Sequence, residues 1–158
     1  MPVPMEKIRP CLWYDGDAEA AVAFYVSLFP DSEVQKVTRY PEGGPGEPGA
    51  VLTVDFVMAG REYTALNGGP EFRFTEAVSL SVDCDSQEEV DDLWDRFLAD
   101  GGEESVCGWL KDRWGLSWQI VPRRLVELLD DPDSERVARV FQAMLKMRRL
   151  DVAALEAA

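Results

Sequence analysis

Between Cys107 and Pro122 the chain reads Cys-Gly-Trp-Leu-Lys-Asp-Arg-Trp-Gly-Leu-Ser-Trp-Gln-Ile-Val-Pro. One short stretch thus holds a thiol, three tryptophans, a run of charged groups and a glutamine. Two kinds of chemistry suit such a set. A lysine lowers the pKa of a nearby thiol and can create a nucleophile without imidazole, which makes Cys107, Lys111 and Asp112 candidate catalytic groups. Alternatively, large rings with polar tips line a partly dry binding pocket. The structural reading of the same residues is a hairpin whose tryptophans fill the core, with Lys111 turned to solvent by strand alternation.

The sequence contains no histidine. A Ser-His-Asp or Cys-His nucleophile system, an imidazole base and a histidine metal ligand are therefore all excluded. The three cysteines, Cys11, Cys84 and Cys107, are odd in number and have no CxxC spacing, so they read as reduced, mostly buried thiols rather than as a disulfide framework or a zinc site. With 16 basic against 30 acidic residues the formal charge is −14, which argues against nucleic acid and anionic membrane as partners. No apolar run reaches membrane-spanning length and no signal peptide is legible at the amino terminus, so a cytoplasmic protein is expected.

These groups need elements to position them. Lys7 to Tyr14 reads as a strand, followed by Asp17 as a helix cap and an apolar face of Ala18, Ala21, Val22, Tyr25, Leu28 and Phe29. Strands are predicted over Glu33 to Tyr40, Val51 to Met58 and Arg61 to Asn67. The Gly- and Pro-rich residues 41–49 form a loop, read as a lid or a plain connection. Ala77 to Cys84 starts the pattern again, and Ser86 with Glu89 makes a capping box before the stripe Val90, Leu93, Trp94, Phe97 and Leu98. Strands near Glu104 to Leu110 and Leu116 to Pro122 follow, then helices over Arg124 to Leu129 and Ser134 to Leu150 and a short last piece after Asp151. The predicted organisation is a single domain over 1–158. It comprises module one at about 5–70, module two at about 76–122 and a helical extension at about 123–158.

The segments Pro10-Cys11-Leu12-Trp13-Tyr14-Asp15-Gly16-Asp17-Ala18, Phe24-Tyr25, Leu66-Asn67-Gly68-Gly69-Pro70, Cys107 to Asp112 and Gly115 to Gln119 resemble the PhnB-like branch of the vicinal oxygen chelate superfamily. That superfamily includes glyoxalase I, bleomycin-resistance proteins and extradiol dioxygenases. The resemblance implies an α+β fold of paired βαβββ modules, with a curled mixed sheet around a cavity and helices outside. It leaves open whether the barrel closes within one chain or between two.

Metal-using relatives place four ligands on the cavity face. Carried over residue by residue, those positions fall on Pro10, Ala65, Ala77 and Gln119, of which only glutamine offers an oxygen, so no metal and no cofactor are expected. The implied function is metal-free binding of a small molecule in the cavity between the modules, by Leu12, Tyr14, Asn67, Ser79, Cys107, Trp109, Ser117 and Gln119. Trp13 and Trp118 are assigned to core packing. The alternatives are a cofactor-independent enzyme built on Cys107 with Lys111 and Asp112, or a structural dimer. The branch also carries the name of a 3-demethylubiquinone-9 3-methyltransferase, but the chain lacks the Gly-rich strand-to-helix turn of a Rossmann-like cofactor site. A homodimer is implied by the resemblance and by the amphipathic carboxyl-terminal helices.

Overall fold

The computed structural model describes residues 6–158, so the expected start of module one near residue 5 lies outside the described residues. The chain forms two compact units, one ending at Arg73 and the other beginning at Phe74.

In the first unit β1 (Cys11–Tyr14), α1 (Ala18–Leu28), β2 (Glu33–Arg39), β3 (Val51–Met58) and β4 (Arg61–Asn67) follow in order, and the sheet runs β1-β4-β3-β2. The first strand lies parallel to the last, and the other pairings are antiparallel. Strand parity gives the sheet two faces. Leu12, Val54, Phe56, Tyr63 and Ala65 share one with α1, whose Ala18, Ala21, Val22, Tyr25 and Leu28 are buried. Phe56 stacks on Tyr63 with centroids 5.4 Å apart, and the buried Tyr14 and Tyr25 hydroxyls share a hydrogen bond of 2.8 Å.

Asp17 stands at the amino end of α1 without a capping side-chain bond. The Ala18 N–H is instead taken by Asn67 Oδ1 at 2.9 Å, while Asn67 Nδ2 donates to Val51 O at 3.1 Å. A residue from the end of β4 therefore caps the helix and ties it to β3.

In the second unit β5 (Ser79–Cys84), α2 (Gln87–Ala99), β6 (Glu103–Glu104), β7 (Trp109–Lys111) and β8 (Ser117–Pro122) form a sheet in the order β5-β8-β7-β6. The single strand expected near 104–110 is broken. Ser105 N–H bonds to Trp109 O and Trp109 N–H to Val106 O, which turns the chain between two short strands. Half of the expected capping box forms, with Ser86 Oγ accepting from Glu89 N–H at 3.2 Å, while Glu89 Oε2 accepts at 2.8 Å from the N–H of Asp85, one residue ahead of the cap. Trp118 and Phe97 pack with centroids 5.0 Å apart beneath α2.

Between β7 and β8 the chain turns around Asp112, which is 3 % exposed. Its Oδ1 accepts from the Trp114 and Leu116 N–H groups and its Oδ2 from Trp118 Nε1, each at 3.0 Å.

Beyond Pro122 lie α3 (Arg123–Leu129), α4 (Ser134–Leu145) and α5 (Val152–Ala157). Leu125, Leu128, Val140, Leu150 and Leu155 make their core. The fourth helix ends at Leu145, short of the expected Leu150, because residues 147–150 are claimed elsewhere. Cys107 and Gly108, with φ of 59° and 83°, present their N–H groups to Met147 O and Arg148 O, both at 2.8 Å. The amide of Gln87 mimics a peptide unit here, donating to Leu150 O at 3.0 Å and accepting from Val152 N–H at 2.8 Å. These tertiary bonds override the helical periodicity.

Replacing Asp112 with alanine strands three donors at once, two of them in buried hydrogen bonds. Hydrogen bonds to a charged partner contribute about 1.5 to 3 kcal/mol each and are not additive, so Asp112→Ala should lower the unfolding free energy by about 3 to 5 kcal/mol. Asp112→Asn should cost less, because one amide oxygen can still serve the two backbone donors. Urea unfolding followed by tryptophan fluorescence checks the ranking, and equal midpoints for wild type and Asp112→Ala would refute it.

Candidate ligand site

The face of the second sheet turned away from α2 carries a grid of side chains. Directly paired residues share a face, so Ser79, Ser117 and Lys111 form one row across β5, β8 and β7. Ser81, Gln119 and Trp109 form the next. Gln119 Nε2 reaches diagonally to Ser79 Oγ at 3.0 Å, which fixes the amide. Lys111 makes an ion pair with Glu76, from the segment leading into β5. The hydrogen bond and charge of each partner favour the ionised form of the other, lowering the Glu76 pKa and raising that of Lys111.

Ser117 is the exception in this grid. It is 1 % exposed, and its Oγ has no hydrogen-bond partner among the described residues. A buried hydroxyl left unpaired costs about 1 to 3 kcal/mol, so Ser117 holds hydrogen-bonding capacity that the described residues do not use.

Ser79, Trp109, Ser117 and Gln119 are thus brought onto one face. Leu12 and Tyr14 are not on the corresponding face of the first sheet. Both are buried on the α1 side, where Tyr14 spends its hydroxyl on Tyr25. Their placement as lining residues is corrected, and so is that of Trp13, which was assigned to the core. Trp13 stands on the opposite face, with its indole N–H donating to Gly69 O at 2.9 Å and its ring edge-on to Phe72.

A cleft of about 570 Å³ lies at the end of the first sheet, lined among others by Asp15, Glu19, Arg39, Tyr40 and Asn67. Asn67 touches it, although both ends of its amide are engaged in holding α1. The 41–49 loop contributes Pro45 and Gly46 to its wall.

The catalytic alternative does not assemble as a unit. Cys107 Sγ lies 3.8 Å from Leu145 O, the Lys111 ammonium pairs with Glu76, and the Asp112 carboxylate serves the turn and Trp118. Nor are the thiols mostly buried. Cys84 is, Cys107 is half-buried and Cys11 is exposed.

The model of the family described as 3-demethylubiquinone-9 3-methyltransferase matches residues 6–121, from ahead of β1 into β8. The chain belongs to this family. The match bears out the resemblance to the PhnB-like branch. Among solved structures, the PhnB protein from Bacillus cereus is 36 % identical over 74 % of this chain and 99 % of its own, with a TM-score of 0.67. Protein PA1353 from Pseudomonas aeruginosa is 18 % identical over 74 % of this chain and 97 % of its own, with a TM-score of 0.61. The fosfomycin resistance protein FosX from Listeria monocytogenes, in a complex with Mn(II) and sulfate, is 19 % identical over 73 % of this chain and 90 % of its own, with a TM-score of 0.52. The last two likenesses concern the fold alone. No curated protein matches the chain.

A transition metal needs several donors gathered in one place. No three His, Cys, Asp or Glu side chains gather for one among the described residues. Of the positions carried over from metal-using relatives, Ala65 lies on the α1 face and only Gln119 bears a donor, a neutral amide already bound to Ser79. Among the described residues no helix is long and apolar enough to cross a membrane. Sequence reasoning missed Glu76, which precedes β5 in a segment without periodicity and is recognisable only through its contact with Lys111.

Burial, and then the charges of Glu89, Asp83 and Asp85, push the Cys84 thiol from 9.0 up to about 12. Folded and unfolded chains both hold this thiol protonated below pH 9. Above it the unfolded form ionises first, so this contribution to stability is lost between about pH 9 and 12. At pH 8 iodoacetamide should modify Cys11 and leave Cys84 untouched until the protein is denatured. Peptide mapping that found Cys84 alkylated as fast as Cys11 in the native protein would contradict this placement.

Proposed function

We propose that the protein is a metal-free small-molecule-binding member of its family, with the ligand held against the face of the second sheet that carries Ser79, Trp109, Ser117 and Gln119. The observation that carries this reading is the buried, unpartnered hydroxyl of Ser117 beside an amide that Ser79 has already oriented. A site that pre-orients its polar groups loses little freedom on binding, and Trp109 supplies an apolar surface next to them. Conversion of a substrate is not part of the reading, because the thiol, the lysine and the carboxylate of the catalytic alternative have separate partners.

Native mass spectrometry of freshly purified protein should show a bound small molecule and no stoichiometric transition metal. Gln119→Ala should weaken that molecule's binding roughly tenfold or more, the effect of one lost orienting hydrogen bond in a dry site. S-adenosylmethionine at millimolar concentration should give no heat of binding, since neither sheet carries a Gly-rich Rossmann-type turn. Absence of any bound molecule, together with no thermal stabilisation across a metabolite panel, would overturn the proposal.

The same reading takes the protein as a cytoplasmic homodimer. Val126, Phe141 and Leu145 support the dimer, being large apolar side chains left exposed on α3 and α4. Light scattering at micromolar concentration should report about twice the chain mass, and a monomer there would remove this part of the proposal.

A further inference from the structure

The pair formed by Lys111 and Glu76 has a feature that ordinary surface ion pairs lack. Lys111 sits in a sheet, directly opposite Ser117, whereas Glu76 comes from the segment ahead of β5 and keeps 61 % of its side chain exposed. One partner is fixed by a ladder, while the other stands in a turn ahead of the sheet, its carboxylate also taking a hydrogen bond from its own backbone. An exposed ion pair is weak enough to be exchanged for another anion. The group already seated on the lysine is a planar, singly charged carboxylate, and the neighbouring hydroxyl is a buried donor with no acceptor.

We propose that this row is the recognition point for a carboxylate on the ligand, with Glu76 as a resident stand-in that the ligand displaces. One oxygen of the incoming carboxylate takes the Lys111 ammonium and the other accepts the Ser117 hydroxyl. The remainder of the molecule lies toward the second row, where Trp109 offers a ring face and Gln119 a hydrogen bond. The ligand class is therefore a small monocarboxylic acid with an apolar body. A doubly charged phosphate fits less well, because the chain carries a net charge of −14 and the row supplies a single cation. This assignment rests on the proposed small-molecule site and names the chemistry that the site selects.

The test uses the full-length protein with benzoate, benzamide and inorganic phosphate as probes, followed by amide chemical shifts in NMR titrations. Benzoate should shift the resonances of Lys111 and Ser117 and bind at least fivefold more tightly to Glu76→Gln, in which the stand-in has lost its charge. Lys111→Met should weaken benzoate at least tenfold, and benzamide should bind the wild type and Glu76→Gln alike. Melting temperatures within a few degrees of wild type confirm that both variants fold, and Ser117→Ala gives a second, uncharged probe of the row. If benzoate and benzamide bind equally and both are weakened by Gln119→Ala, the carboxylate assignment fails while the binding site stands. If phosphate displaces Glu76 in preference to benzoate, or if benzoate gains nothing in Glu76→Gln, the assignment is overturned. Copurification of a bound neutral molecule would overturn it as well, without touching the binding function.

Discussion

The second unit depends on one buried carboxylate. Asp112 holds the turn between β7 and β8 through two backbone N–H groups and pins the Trp118 indole through a third donor. The turn sets the register, and the register decides which side chains meet. Trp109 stands opposite Gln119 and Lys111 opposite Ser117 only because the turn has this length. A slip of one residue would carry Lys111 beneath α2 and bring Leu110 out. The same carboxylate that fixes the core tryptophan thus also builds the polar row on the other side of the sheet.

The two units solve a shared problem with different residues. Each joins its first and last strands in parallel and lays a helix over one face. Each helix needs its amino-terminal N–H groups satisfied. In α2 the cap is local, Ser86 with Glu89, whereas α1 borrows Asn67 from the end of β4. Tryptophans diverge in the same way. Trp118 is buried under α2 with its N–H on Asp112, while Trp13, on a first strand, stands on the face opposite α1 with its N–H on Gly69.

Much of this was legible in the sequence where a pattern was long enough to read. The strands Val51–Met58 and Arg61–Asn67 and the helix after Ser86 follow directly from alternation, turn residues and a capping box. The faces of β8 were legible too, because Ser117, Gln119 and Val121 alternate with Trp118 and Ile120. β1 has only four residues, Cys-Leu-Trp-Tyr, all apolar enough for either face. Such a stretch carries no parity signal, and Leu12 and Tyr14 lie on the α1 side rather than along a cavity. The Asn67 cap, the end of α4 and the ion pair of Glu76 share another cause. Each depends on a partner far along the chain, and short-range spacing carries no trace of such a partner.

The parallel pairing of first and last strands also bears on how each unit comes to fold. Cys11 meets Thr64 and Ser79 meets Ser117, so these edge ladders close loops of about fifty and about forty residues. The β3–β4 and β7–β8 hairpins need only short closures and can form early, whereas the strand that carries the helix must search for its edge afterwards. Until it docks, β4 and β8 each present a bare row of amide and carbonyl groups, a template that any extended segment can occupy. The interval before docking is therefore the moment at which a crowded population of these chains is most exposed to pairing with one another instead of with themselves.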